Sequence, residues 1–279
     1  MEGKQKHPVK EITIEEEKHP ISEIIERLPT AQVGKPSFAR LGNALGALTE
    51  AGLHKIGMAR VLAYNEQQNL ELSKNLERLV TEFQDEEPVV TIPVELAQPV
   101  IERLSFVKDS KIAGLFIKLL STAGHEASAG LAHPSFVHVI DQLTPDEAIL
   151  LNALEGVKDM EFIEYGVKNP LPEASGATYI HSHYFSRLYE IEDLSYPENC
   201  EFYMDNLISL GLLSTRNDWF IGEPDDKGKN VPSSEYTRLE ELATEKIGSV
   251  APPFNKYIKT GILSPTNKGM LFIKIAKDN

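Results

Sequence analysis

The sequence predicts a mainly α protein in which a helical core is followed by a C-terminal, winged-helix-like α+β module. Three observations carry that expectation. Apolar residues recur every three or four positions through several segments between Phe38 and Leu154. Beyond Met160 the pattern changes to short aromatic and β-branched runs. Near the end, a strand-like run precedes a Ser-Pro pair and a short apolar helix, and helix plus strand hairpin is the arrangement of a winged-helix-like module. The expected organisation is a flexible acidic arm over 1–33, a helical core over 34–155 and a mixed α+β module over 156–279.

The first segment is polar, charged and interrupted by Pro8, Pro20 and Pro29, so it reads as an arm. From Pro36 onward, Phe38, Leu41, Leu45, Leu48, Leu53, Ile56, Met58, Val61 and Leu62 begin a helical stripe that continues through Leu70, Leu72, Leu76, Leu79 and Val80, a long helix or helical hairpin. Gly42 and Gly46, four apart, suit a close helix approach or are simply tolerated. Pro93 can open a helix carrying Leu96, Val100, Ile101 and Leu104, with Pro99 marking a kink or a later start. Asp109 is placed to cap SKIAGLFIKLLSTAG, whose Ile112, Leu115, Phe116, Leu119 and Leu120 form a buried stripe.

HPSFVHVIDQL puts Phe136, Val137, Ile140 and Leu143 on one helical side. In TPDEAILLNALEG, Thr144 is an N-cap, Pro145 takes the first helical position and Glu147 completes a capping box. MEFIEYGV and ATYIHSHYF pair as strands, or the second begins another helix. A helix over about 198–212, a polar loop with Pro224, Gly228 and Pro232, a strand-like run, a Ser264 cap before Pro265 and a last helix with Met270, Leu271 and Ile275 complete the reading.

Composition narrows the function. The 279 residues carry a net charge of -14 and a single cysteine, Cys200, so the chain builds its core without an intrachain disulfide and the cytoplasm is the expected compartment. No apolar stretch is long enough for a membrane-spanning helix, and the first 33 residues lack a signal-peptide apolar core. Charge is uneven: residues 141–210 hold 14 acidic and three basic residues, a net of -11, whereas 211–279 hold nine acidic and ten basic. Acidity on that scale opposes non-specific attraction to nucleic acid or anionic lipid.

Phosphate-binding glycine loops, dinucleotide fingerprints, HExxH, calcium loops and paired-cysteine metal motifs are absent from the sequence, and no cofactor is expected. His181 and His183 are the local candidates for a metal or acid-base site, because residues two apart on a strand share a face. Asp193, Glu190 or a residue folded in from elsewhere would be the third ligand, but an HxH pair alone is a weak signal, and the favoured reading is a pair of hydrogen-bonded surface or semi-buried histidines. His133 at a helix entry satisfies backbone groups, with a His125/His133/His138 cluster as the functional alternative. Cys200 reads as a small buried hydrophobe rather than a nucleophile, and Ser135, Ser182 and Asp193 form a triad only on paper. For nucleic acid, Lys256, Lys259, Lys268, Lys274 and Lys277 form a basic patch at the C-terminal end, whereas the EFYMDNLISLGLL helix offers no cation to phosphate.

The run IPVELAQPVIERLSFVKDSKIAGLFIKLLSTAG, followed by HPSFVHVIDQLTPDEAILLNAL, resembles the Abi-alpha family of bacterial abortive-infection proteins. Ile92-Pro93, Leu104-Ser105-Phe106 before Asp109, Leu115 through Leu120, His133-Pro134-Ser135-Phe136 and Leu143-Thr144-Pro145-Asp146-Glu147-Ala148 carry the likeness. It is strongest over 92–154 and extends more weakly over 38–276. The resemblance implies a mainly helical cytosolic protein of phage defence, in which infection of the host cell is made unproductive. It brings no catalytic set; Pro93, Phe106, His133, Pro134, Ser135, Phe136, Thr144, Pro145 and Glu147 are family-motif positions with architectural roles. The expected activity is that of a non-enzymatic sensor, regulator or effector contacting a protein partner or phage product, or a second copy of itself. A metal-dependent hydrolase or nuclease using His181 and His183, and a DNA-binding regulator acting through the C-terminal module, are the alternatives.

Overall fold

A computed structural model of the chain describes residues 35–46, 66–84, 87–169, 178–217, 222–224 and 230–277. The arm over 1–33 and the stripe through Leu48, Leu53, Ile56, Met58, Val61 and Leu62 lie outside the described residues.

Helices α1 (Lys35–Ala44), α2 (Glu66–Thr81), α3 (Val94–Leu104), α4 (Ser110–Gly124), α5 (Ser135–Asp141) and α6 (Pro145–Ala153) form the helical core. The most apolar of them, α4, is the centre, with α2, α3, α5 and α6 all packed against it. It starts where the Asp109 side chain accepts from the backbone N–H groups of Lys111 and Ile112, which satisfies two otherwise orphan helix donors. Its Ile112, Leu115, Phe116, Leu119 and Leu120 are buried, as a helical period requires. At its other end Gly124 has no side chain where a Cβ would lie 2.6 Å from the Phe83 ring, so the glycine permits the chain after α2 to close on α4. Helix α3 runs through Pro99 without ending, its first turn accepted by the Pro93 carbonyl. Of the two readings of Gly42 and Gly46, the described residues show the tolerated one: among them nothing lies within 4 Å of a Cβ built at either position.

The C-terminal module is an open antiparallel sheet with helices on it. Strands β1 (Met160–Lys168), β2 (Thr178–Phe185), β3 (Leu213–Asn217) and β6 (Asn255–Pro265) take the order β2-β1-β6-β3. MEFIEYGV and ATYIHSHYF therefore pair as strands, and the helical alternative for the second is excluded. Residues 222–232, expected as a polar loop, contain a two-stranded antiparallel ribbon of β4 (Gly222–Pro224) and β5 (Asn230–Pro232). Helix α7 (Cys200–Ser209) packs against β2 and β3. Helix α8 (Ser234–Ile247), absent from the elements expected above, covers β1 from the other side, where Leu239 and Ala243 meet Ile163, Tyr165 and Phe185.

The last helix, α9 (Asn267–Ala276), starts two residues later than the Ser264 cap predicts: β6 continues through Pro265, paired with Leu213, and the Thr266 hydroxyl accepts from the Gly269 N–H as the cap. This helix returns to the helical core. It packs on α4 and α6, and Phe272 meets Phe136 edge-on at 5.3 Å between ring centroids. One apolar core thus runs from Leu41 to Ala276. Gly269 is where α9 touches the turn between α7 and β3, since a Cβ there would fall 1.9 Å from the Leu212 carbonyl oxygen.

Candidate functional site

The start of α6 joins the helical core to α7 and the loop before it. Pro145 occupies the first turn, and the predicted capping box is formed: the Glu147 N–H donates to the Thr144 hydroxyl at 3.2 Å, and the Thr144 N–H donates to the Glu147 carboxylate at 2.6 Å. The second Glu147 oxygen accepts from Asn206 Nδ2 on α7, also at 2.6 Å. Asp146, between them, accepts from the backbone N–H groups of Ser195 at 2.9 Å and Tyr196 at 2.8 Å and from the Tyr203 hydroxyl at 3.0 Å. Asp146 is 2% exposed and Glu147 fully buried. Burial alone raises the Asp146 pKa, but the Ser195, Tyr196 and Tyr203 donors outweigh it and hold the carboxyl below the ordinary carboxylate range. A buried carboxylate with three donors positions a segment rather than reacting. The Tyr203 pKa is correspondingly raised, by burial and by its bond to Asp146, so it stays a donor.

What these carboxylates position is an acidic, aromatic surface. Leu194 turns inward, while Glu192, Asp193, Tyr196, Glu198, Phe202 and Asp205 face solvent. Phe202 is 65% exposed and Tyr196 60%. Between Arg187 and Arg216 the sequence contains no lysine or arginine. Among the described residues Glu192, Asp193, Glu198 and Asp205 form no ion pair, whereas Glu190 at the margin pairs with Arg238 at 2.6 Å. Two neighbours order the face from below: Glu201 accepts from the His183 backbone N–H, and Asp205 accepts from the Tyr184 hydroxyl. Burial first, and Asp205 second, push the Tyr184 phenol up to about 12, which keeps that hydroxyl protonated.

The structure separates the imidazoles of His181 and His183. The β1–β2 register shifts on both sides of Tyr165, so β2 carries irregularities where strict alternation would have aligned the two rings. His183 Nδ1 lies 2.9 Å from Glu164 Oε2, and His181 lies against the Tyr165 ring at 6.2 Å. Glu164 and Tyr165 are consecutive in a strand and point to opposite faces, so the two histidines contact opposite faces of the sheet. Glu164 also accepts from the Tyr257 hydroxyl at 2.7 Å; burial raises its pKa, but Tyr257 and His183 together lower it below the ordinary range. Among the described residues no group of three His, Cys, Asp or Glu side chains is arranged to hold a metal ion. Asp193 and Glu190, named as third ligands from the sequence, lie on the exposed face just described.

The other predicted residues fall at separate places. His133 accepts the Ser135 backbone N–H at 3.1 Å and sits 2.8 Å from the Ser135 hydroxyl, at the entry to α5. His125 is buried, stacked on Phe83 at 4.8 Å and bonded to the Ser121 carbonyl, whereas His138 is exposed on α5. Pro134 precedes α5 and Phe136 is buried in the core, while Pro93 stands at the α3 entry and Phe106 is half exposed after α3. Cys200 is buried, and burial together with Asp146 pushes its thiol up to about 11, which removes the thiolate a nucleophile needs. Ser182 lies 3.4 Å from the Tyr189 hydroxyl, Ser135 beside His133, and Asp193 faces solvent. Of the five lysines, Lys256 donates to the Thr244 carbonyl, Lys268 to the Leu210 carbonyl, Lys277 pairs with Glu155, Lys259 acts on Glu164, and Lys274 lies in the last turn of α9. The tie from Asp146 to the Ser195 and Tyr196 amides was not legible in the sequence, because an acid in a helix first turn looks the same whether solvated or bonded to a distant loop.

No helix among the described residues is long and apolar enough to cross a membrane. No curated protein matches the chain. A solved structure of an uncharacterized protein from the hydrocarbon-degrading marine bacterium Alcanivorax borkumensis SK2 shares 16% identity over 48% of this chain and 85% of that one, with a TM-score of 0.25. The family model described as abortive infection alpha matches residues 65–276, which takes in α2 through α9 and both the α6 start and the face it supports. By that match the chain belongs to the abortive infection alpha family.

Proposed function

We propose that the chain acts in phage defence through protein contacts rather than catalysis, and that the face of Glu192, Asp193, Tyr196, Glu198, Phe202 and Asp205 receives a basic partner. Membership of the family supports the general anti-phage role. The observation that carries the finer reading is the combination of two largely exposed aromatic side chains with unpaired acids on a segment pinned by buried carboxylates. Exposed aromatics supply the contact area of interfaces, and a one-sign rim steers a complementary partner. Preorganisation by Asp146 lowers the ordering cost of binding. The partner is a phage product whose docking relieves an autoinhibited or oligomeric state.

The test is affinity capture from infected and uninfected cells, paired with a plaque assay. A quadruple change, Glu192→Gln, Asp193→Asn, Glu198→Gln and Phe202→Ser, is expected to abolish capture and protection while leaving the melting temperature close to that of the parent. Unchanged protection by that variant sinks the proposal. His181→Ala with His183→Ala is expected to leave protection intact; its loss in a folded double variant would instead favour the hydrolase reading.

A further inference from the structure

Away from the acidic face, a cavity of about 180 Å³ opens between α2, α4, α6 and the end of α9. Its inner wall is apolar, formed by Leu115, Ala148, Ile149 and Ala276, and its polar lining includes Arg78, Lys111, Ser110 and Asn152. The volume compares with that of an engineered protein cavity of about 150 Å³ that accepts a single benzene ring.

Arg103, Arg216 and Arg238 each pair with carboxylates, at 2.6 to 2.8 Å. Arg78 instead gives one donor to the Ser110 carbonyl at 3.1 Å, which holds its guanidinium over Gly114, and meets no carboxylate among the described residues. A guanidinium has five N–H donors, so most of its fork is unused. Lys111 is exposed and its ammonium has no partner among the described residues. Asp109 is turned to its own helix, accepting the Lys111 and Ile112 amides. The lining thus joins two cationic groups to an apolar wall, the complement of a molecule with one charged end and one short apolar body.

We propose that this cavity binds a small organic anion, its carboxylate or phosphate held by Arg78 and Lys111 and its apolar part lying on Leu115, Ala148, Ile149 and Ala276. This site is independent of the protein-docking face. Because the wall includes α9 as well as three helices of the core, the ligand fastens the C-terminal helix to the core and stabilises the native state by linkage.

The experiment is calorimetric titration and thermal shift of the full chain with phenyl phosphate, benzoate, inorganic phosphate and neutral benzyl alcohol at low ionic strength. Phenyl phosphate or benzoate is expected to bind with a Kd of about 1 mM or tighter and to raise the melting temperature. Arg78→Gln and Lys111→Gln are each expected to weaken binding tenfold or more, and Asn152→Phe, which fills the cavity from an exposed helix position, to abolish it. Which of the two anions binds more tightly identifies the head group. The proposal is overturned if neither organic anion binds. It is also overturned if inorganic phosphate binds as well as phenyl phosphate, if benzyl alcohol does so, or if a folded Asn152→Phe variant binds unchanged.

Discussion

Replacing Asp146 by alanine tests the link between the helical core and the acidic face. The substitution removes a buried carboxylate that accepts three hydrogen bonds, two from loop amides and one from the Tyr203 hydroxyl. Truncating the acceptor of a charge-assisted bond costs about 1.5 to 3 kcal/mol where the donor stays dry. Ser195 and Tyr196 lie in an exposed segment and recover water, so the three losses do not add in full. A total of about 3 to 5 kcal/mol follows, most of it from the stranded Tyr203 hydroxyl and the lost acid in the first turn of α6. For a domain of this size that lowers the melting temperature by on the order of 10 °C. Thermal unfolding followed by circular dichroism reads the global effect, and hydrogen exchange reads the faster opening expected at 191–199. Asp146→Asn keeps the shape but can accept at one oxygen only, so its loss falls between the parent and alanine. Coupling with Tyr203→Phe in a double-mutant cycle is expected to be about 1 kcal/mol or more. A melting temperature for Asp146→Ala within about 1 °C of the parent, with exchange at 191–199 unchanged, would refute the claim that this carboxylate holds the loop.

Gly269→Ala forces a Cβ against the Leu212 carbonyl and is expected to destabilise by about 1 to 3 kcal/mol in urea titration, with Gly42→Ala, where space is open, close to neutral or slightly stabilising. Asp146 and Glu164 both have folded-state pKa values below their ordinary ones, so each contributes stability that is present above the unfolded carboxyl pKa and lost as pH falls through the folded one. Denaturant midpoints are therefore expected to decline on acidification from about pH 5 downward, less steeply in Asp146→Ala. The Cys200 thiol, buried and pushed up to about 11, should resist a thiol-modifying reagent at neutral pH and react promptly once the chain is unfolded. Rapid modification of the native protein would contradict that burial.

Local signals carried the helical core further than the sheet. Asp109 and the Thr144–Glu147 box act within a few residues of themselves, so the starts of α4 and α6 were readable from the sequence. Helix α8 was passed over although Tyr236, Leu239, Leu242, Ala243 and Ile247 recur at helical spacing behind the Ser233 cap, because charged residues fill the positions between them and leave only Leu239 and Ala243 fully buried. The Ser264 cap failed for a tertiary reason: pairing of Leu213 with Pro265 extends β6 past the local stop signal. The histidine pair illustrates the same limit at the candidate site. Alternation holds for a regular strand, and the register shifts opposite Tyr165 depend on β1, which local spacing in β2 does not encode. The acidic excess was legible as charge, but its display depends on Asp146 reaching Ser195 and Tyr196 across the fold.

The return of α9 to α4 and α6 also sets the order in which the molecule can be completed. Helices α4 through α6 are near one another in the chain and can meet early, yet the Phe136 ring and the side of α4 that receives α9 stay uncovered until residues 267–276 have been made and have travelled back across the sheet. Closing so long a loop is entropically slow, and native packing at the centre of the molecule is among the last events of folding. A ribosome halted before that point would hold a chain with its central helix still partly wet and dependent on protection from aggregation.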